Sequence, residues 1–175
     1  ITAMVLGALL LSPLGLNALM FPLMLGASGI LATIAGVFVV RGWRNMRPIM
    51  SFNVGLFTTA IFCVLGAYLS TMVLLNDVTI FYAVVSGLAA SLAVGLAVQY
   101  YIGINGKPVR RIAESSERGA AINIITGLSY ALQSPFIPFL SVLAAILFSY
   151  SITNGSLYGI VAANIGTDLA IGIVM

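Results

Sequence analysis

Charge is the scarcest property of this 175-residue sequence. Seven lysines and arginines and four aspartates and glutamates make up 6% of the residues, against about 25% in an ordinary soluble domain. Hydrophobic residues make up 61%, and the mean hydropathy is +1.17. Because so few charges cannot cover the surface of a soluble domain of this size, a water-soluble fold is excluded.

Histidine is absent, and Cys63 is the single cysteine. Intramolecular disulfides, Cys/His metal sites and acid–base chemistry by histidine are therefore excluded. The sequence also lacks a glycine-rich phosphate loop, paired carboxylates on one helix face, and a nucleophile with a base. We therefore predict no catalytic, substrate-binding or metal-binding residue in this chain. The net charge of +3 is too small to indicate nucleic acid as a partner.

Long charge-free runs are what the sequence does contain, and each is long enough to cross a bilayer, which takes about 20 apolar residues. Proline, glycine and asparagine supply the turn signals between them. The pattern predicts an all-α, polytopic transmembrane helix bundle that forms a single segment. We expect five spans and a partial N-terminal helix, at residues 1–11, 18–40, 49–75, 79–103, 119–152 and 157–175.

All lysines and arginines fall in two clusters, at 41–47 and 104–118. Two predicted spans separate the clusters, so both loops lie on one side of the membrane. The positive-inside rule makes that side cytoplasmic. We therefore predict a multi-pass integral protein, with the membrane of a prokaryotic cell as its location and the lipid bilayer as its surroundings.

Two further features concern helix shape and packing. Pro108 suits a helix start, and no strong breaker precedes Ala120, so the sequence predicts one helix from Pro108 to Ile152 that projects into the cytosol and kinks near Pro135 and Pro138. Small residues recur at four-residue spacing in the third complete span and in the last span, including Gly87 and Ala163. Such stripes predict close helix packing, with a pore lining as the less favoured alternative.

Polar residues at membrane depth are the candidate functional residues. Asp168 is the only ionisable one, near the middle of the last span, and such a group is costly there. It predicts either an ion or proton relay or a carboxylate that a helix from elsewhere satisfies. Asn164 and Asn123 are weaker candidates for an ion path, since such residues more often form interhelical hydrogen bonds than bind ligands.

The sequence becomes recognisable around the second basic cluster. It reads Tyr-Tyr-Ile-Gly at 100–103, Pro-Val-Arg-Arg-Ile-Ala-Glu-Ser-Ser at 108–116 and Gly-Ala-Ala-Ile-Asn-Ile-Ile-Thr-Gly-Leu at 119–128. These stretches resemble the membrane-integral, ion-pumping inorganic pyrophosphatases. Further matching positions occur in the same order at 15–17, 21–23, 29–36, Pro138, 149–150 and 157–163. The chain departs from the family pattern at Arg118 and Ile122, where threonine is usual, and at Thr167 and Asp168, where Met-Leu is usual.

The resemblance implies an internal fragment of a larger homodimeric pump. Its parent would hydrolyse Mg²⁺-pyrophosphate at a cytosolic mouth and drive H⁺ or Na⁺ outward. The acidic residues that hold Mg²⁺ and pyrophosphate in the family would lie outside this chain, so the fragment alone is predicted to be inactive and to need the remaining helices of the parent.

Two other functions stay open from the residues alone. One is a piece of a secondary transporter or permease without hydrolytic activity, and the other is a membrane scaffold subunit. Acidic substrate-binding motifs in the reading frame beyond both ends would favour the pyrophosphatase.

Overall fold

The computed structural model describes residues 16–42, 48–103 and 106–174, and this part of the chain is all-α. Seven helices follow one another in it: α1 (Leu16–Gly42), α2 (Pro48–Leu74), α3 (Val78–Ile102), α4 (Lys107–Ser116), α5 (Ala120–Gln133), α6 (Phe136–Ile152) and α7 (Leu157–Val174). The predicted fold class is confirmed. The predicted partial helix at 1–11 and most of the basic loop at 41–47 lie outside the described residues.

Four helical segments within the described ranges are long and apolar enough to cross a membrane: Met20–Gly42, Met50–Leu74, the segment that begins at Val78, and Ala120–Ile152. Such segments can cross a bilayer because an α-helix satisfies its backbone N–H and C=O groups within the segment itself. Large apolar side chains point outward along these segments, with Val73 74% and Leu132 75% exposed. The chain is therefore a multi-pass integral membrane protein. The last predicted span corresponds to α7, whose 18 residues are near the lower limit for a span.

The first three helices form an antiparallel meander. Gly66 lies against Ser28 at the middle of α1, and Gly55, near the start of α2, lies against Val40, near the end of α1. In the α2–α3 pair, the rings of Tyr68 and Phe81 meet edge to face with centroids 5.5 Å apart. The end of α1, the start of α2 and the end of α3 therefore lie at one end of the bundle, which we call the basic end. The turn between α2 and α3 lies at the opposite end.

In that turn Asp77 caps the start of α3, and its Oδ1 accepts hydrogen bonds from the Thr79 amide (2.9 Å) and hydroxyl (2.7 Å). The cap satisfies one of the free N–H groups at the start of α3.

Helix α7 completes the core by packing on α3 and also contacting α1, α2 and α6. The two helices approach closely where Gly87 faces the backbone of Ala163 and Gly166 faces the carbonyl of Val84. The predicted close packing of the small-residue stripes is thus confirmed for Gly87 and Ala163. The core cluster draws on α1, α2, α3 and α7, with Phe21, Leu25, Cys63, Ala83 and Ala162 among its fully buried members.

Helices α5 and α6 lie at the edge of this core. No residue of α5 is buried, and α6 buries Ala145 and Ser149. The Ser149 hydroxyl donates to the Gly159 carbonyl across the short turn between α6 and α7. The chain bends between α5 and α6 at Ser134 and Pro135, close to the predicted kink. Pro135 has no N–H to reach the Ala131 carbonyl, and the Ser134 hydroxyl donates to that carbonyl instead (3.0 Å).

The prediction of one helix from Pro108 to Ile152 is wrong. Helix α4 ends at Ser116, and α5 begins only at Ala120. Between them Gly119 has a φ of +114°, which a residue with a side chain rarely adopts, so the chain reverses direction there. Helix α4 folds back along α5 as a hairpin.

Candidate intramembrane polar site

Asp168 lies on α7 at the edge of a groove between α1 and α7. The groove has a volume of about 420 Å³ and is lined by Pro22, Leu23, Gly26, Ala27, Gly29, Ile30, Thr33, Ile165, Asp168 and Leu169. Asp168 is its only charged member and is exposed to it. The groove is therefore an apolar cleft with one carboxylate at its wall.

The position of this carboxylate depends on Gly29, which has no side chain where α1 meets α7. A Cβ atom on Gly29 would lie 2.6 Å from Leu169 Cδ2, so the absence of a side chain at Gly29 lets Leu169 enter the interface with α1. Leu169 and Ile165 are buried on that side of α7. Asp168 is the neighbour of Leu169 in sequence, and it is consequently held at the open edge of the same interface.

The charge of Asp168 is not compensated within the described part of the chain, where no residue forms an ion pair or hydrogen bond with its carboxylate. The lysines and arginines all belong to the two basic clusters at the ends of the spans. The hydroxyl of Thr33, the other polar side chain in the groove, donates to the Gly29 carbonyl of its own helix (2.8 Å). A carboxylate in such surroundings needs a proton, a cation or a basic side chain from elsewhere.

Asn164 lies one helical turn before Asp168 but lines a different groove. That groove, of about 490 Å³, lies between α3, α6 and α7, and its polar members are Ser91, Asn164 and Thr167. Thr167 donates its hydroxyl to the Asn164 carbonyl (2.6 Å), a bond within α7 that leaves the Asn164 side-chain amide facing the groove.

Asn123 lies apart from both, in the α4–α5 hairpin. The Ser115 hydroxyl donates to Asn123 Oδ1 at 3.0 Å, and Ser115 is buried in this contact. The structure therefore places Asp168 and Asn164 in neighbouring grooves of one helix and gives Asn123 a position between two helices.

Two polar features were missed by the sequence reasoning. Arg111 on α4 donates from Nη1 to the Tyr130 hydroxyl on α5 (3.2 Å). Asn53 on α2 has a buried side-chain oxygen with no hydrogen-bond partner in the described residues. A single amide within an apolar run was a sequence signal for Asn53, whereas nothing in the sequence links Arg111 to a tyrosine 19 positions away.

The described residues do not fit a divalent metal ion. No group of three or more Asp, Glu, Cys or His side chains converges within them, and Mg²⁺ in proteins is bound through carboxylates, phosphates and water. No chemical step at a metal can therefore be assigned to these residues.

Comparison with known proteins identifies the relatives of this chain. A family profile described as "Inorganic H+ pyrophosphatase" matches residues 1–175. A "K(+)-insensitive pyrophosphate-energized proton pump" of Methanosarcina mazei is 34% identical over 181 aligned positions, which cover 100% of this chain and 27% of the relative. A "Putative K(+)-stimulated pyrophosphate-energized sodium pump" of Clostridium tetani is 30% identical over 156 aligned positions, which cover 86% of this chain and 23% of the relative.

A third relative is shorter. The "Pyrophosphate-energized proton pump 2" of Rhizobium leguminosarum bv. trifolii is 29% identical over 161 positions, which cover 85% of this chain and 74% of the relative. The chain thus spans about a quarter of the length of the Methanosarcina and Clostridium relatives.

Proposed function

Because the chain belongs to the inorganic H⁺ pyrophosphatase family, we propose that it forms part of a membrane pump that couples pyrophosphate hydrolysis to the movement of H⁺ or Na⁺. The observation that carries this proposal is the family match over residues 1–175, together with a fold of apolar helices that suits such a pump. The functional pump would contain further helices, because this chain spans about a quarter of two of its relatives.

The chain's share of the work follows from what its residues offer. We propose that it supplies helix packing and one wall of the ion path, and that Mg²⁺ and pyrophosphate bind to other parts of the pump. A homodimer of the complete pump is part of this proposal. The chain on its own is expected to be inactive.

A secondary transporter without hydrolysis is not favoured, because the family match extends over the whole chain.

Reconstitution tests the coupling. The intact protein that carries this chain should release phosphate from added pyrophosphate in sealed vesicles and acidify or load them with Na⁺ at the same time. An ionophore should abolish the gradient and leave hydrolysis running. Ion movement without phosphate release would instead identify a secondary transporter.

We further propose that Asp168 takes part in ion movement, since it is the one uncompensated carboxylate at membrane depth in the described residues. Replacing Asp168 by Asn should lower the number of ions moved per pyrophosphate hydrolysed or shift its pH dependence. Asp77→Asn is the matched control, because Asp77 lies in a turn and asparagine also caps helices.

The alternative role of Asp168 gives a different result. If a basic side chain from another helix only pairs with this carboxylate, Asp168→Asn should reduce stability and hydrolysis together and leave the ratio of ions to pyrophosphate unchanged. An unchanged ratio at every pH therefore refutes the ion-path proposal.

A further inference from the structure

Helix α4 carries a strongly charged face at the basic end of the bundle. Lys107, Arg110 and Arg111 are all exposed, and the two arginines lie three and four positions after the lysine, so the three cations share one side of the helix. Pro108 and Ser115, on an adjacent side of the helix, are buried against the rest of the protein. We call the three cations the basic face of α4.

The fold holds this face in a defined place. The start of α4 is fixed to the end of α3, where the Gly106 amide donates to the Gly103 carbonyl (2.7 Å). The other end of α4 is fixed to α5 by the bond between Ser115 and Asn123. The face is therefore part of a folded hairpin whose two ends are attached to membrane-spanning helices.

Two tyrosines indicate where the basic face lies relative to the hydrocarbon core of the membrane. Tyr100 lies 22 residues after the first residue of α3, and Tyr130 lies 22 residues before the last residue of α6. At 1.5 Å per residue each tyrosine is about 33 Å from the far end of its span, which is close to the roughly 30 Å thickness of the hydrocarbon core. Both rings therefore lie where the core meets the headgroups, a usual position for tyrosine.

Arg111 is held at this height because its guanidinium donates to the Tyr130 hydroxyl (3.2 Å). Tyr100 is half exposed, and its ring packs edge to face on Tyr101 with centroids 5.2 Å apart. Glu114 is the single carboxylate on this side of α4, and no ion pair between it and the basic face occurs in the described residues. The face thus keeps a net positive charge at headgroup level.

We propose that the basic face of α4, together with Tyr100 and Tyr130, binds the phosphate of an anionic phospholipid. Leu132 and Phe136 follow Tyr130 toward the middle of the span and are 75% and 64% exposed, so they offer an apolar surface to the acyl chains. A free phosphate or pyrophosphate has no acyl chains that could contact this apolar surface. The surface therefore favours a lipid as the occupant. The proposal needs the membrane location alone and is independent of the pumped ion and of hydrolysis.

The expected size of the effect follows from the number of charges. A lysine or arginine near an anionic membrane surface contributes about fivefold to binding, so loss of all three should weaken it by about a hundredfold. Lys107 makes no hydrogen bond in the described part of the chain, so Lys107→Gln should cost about fivefold without disturbing the fold.

The test uses the intact protein in phosphatidylcholine nanodiscs that contain a small fraction of phosphatidylglycerol, with native mass spectrometry to count retained lipids. The triple variant K107Q/R110Q/R111Q should lose phosphatidylglycerol selectively, and Lys107→Gln should show the smaller loss at an unchanged melting temperature. Arg118→Gln, beyond the end of α4, is the matched control and should retain the lipid.

Three outcomes overturn the proposal. They are retention of phosphatidylglycerol by Lys107→Gln and the triple variant alike, equal retention of phosphatidylcholine by the unaltered protein, and displacement of the lipid by millimolar phosphate or pyrophosphate. The last of these would assign the face to a soluble anion.

Discussion

At the residue scale, the close approach of α3 and α7 depends on two glycines. A Cβ atom on Gly87 would overlap the backbone of Ala163, and one on Gly166 would overlap the carbonyl of Val84. In lipid, helices associate through such close packing, because the hydrophobic effect does not drive apolar helices together. Backbone atoms cannot move aside as the end of a flexible side chain can, so the α3–α7 contact tolerates no added methyl group at these positions.

We predict that Gly87→Ala lowers the free energy of unfolding by about 1–3 kcal/mol, the usual cost of overpacking. Gly127→Ala is the control, since no atom lies within 4 Å of a Cβ added there. That variant should be neutral or slightly stabilising, because alanine is the better helix former. Thermal unfolding of the detergent-solubilised intact protein measures both. Equal melting temperatures for the two variants would show that α3 and α7 are less closely packed at Gly87 than in the structure.

At the scale of elements, the α4–α5 hairpin is the least expected part of the fold. Its turn requires the positive φ of Gly119, and its two arms are joined by the Ser115–Asn123 and Arg111–Tyr130 hydrogen bonds. One hydrogen bond contributes a net stabilisation of about 0.5–1.5 kcal/mol, so these two bonds favour the hairpin over a continuous helix.

Distance measurements distinguish the two shapes. Spin labels on cysteines that replace Arg110 and Ala131 would be about 32 Å apart in one straight helix. In the hairpin they should be within about 20 Å, because the neighbouring residues Arg111 and Tyr130 are hydrogen-bonded to each other. Cys63 is fully buried and should not take up label. A single distance near the long value would contradict the hairpin.

Helix positions were predictable from the sequence, because charged residues rarely occur inside a span and therefore mark the limits of each span. The boundaries of α2 and α3 lie within one residue of the expected spans at 49–75 and 79–103. The break after Ser116 was not predictable in the same way. Glycine allows a positive φ without requiring one, and tertiary hydrogen bonds select that conformation here.

Side-chain surroundings were the other part that the sequence left open. Asn164 and Asp168 are four positions apart, a spacing that predicts one shared face. In the structure each lines its own groove, one against α3 and α6 and the other against α1. Which groove a residue enters depends on where the neighbouring helices pack, and no pattern within α7 contains that information.

At the scale of the whole molecule, charge and connectivity agree on one arrangement. The antiparallel order of α1, α2 and α3 brings Arg41, at the end of α1, and the start of α4 to the basic end. The turn at the opposite end contains an aspartate and no lysine or arginine. Because cationic loops are retained on the cytoplasmic side, the basic end is expected to be cytoplasmic.

Two matched serine-to-cysteine changes test this orientation in intact cells that produce the complete protein. Ser116, at the end of α4, and Ser156, in the turn before α7, are both exposed, so their reactivity differs only by the side they face. We predict that a membrane-impermeant maleimide labels Ser156→Cys from outside and labels Ser116→Cys only after the membrane is permeabilised. Labelling of Ser116→Cys in sealed cells would invert the topology, and it would also move the basic face of α4 to the outer leaflet. Labelling of both cysteines from outside would mean that the segment Ala120–Ile152 does not cross the membrane, although its length and composition permit it to do so.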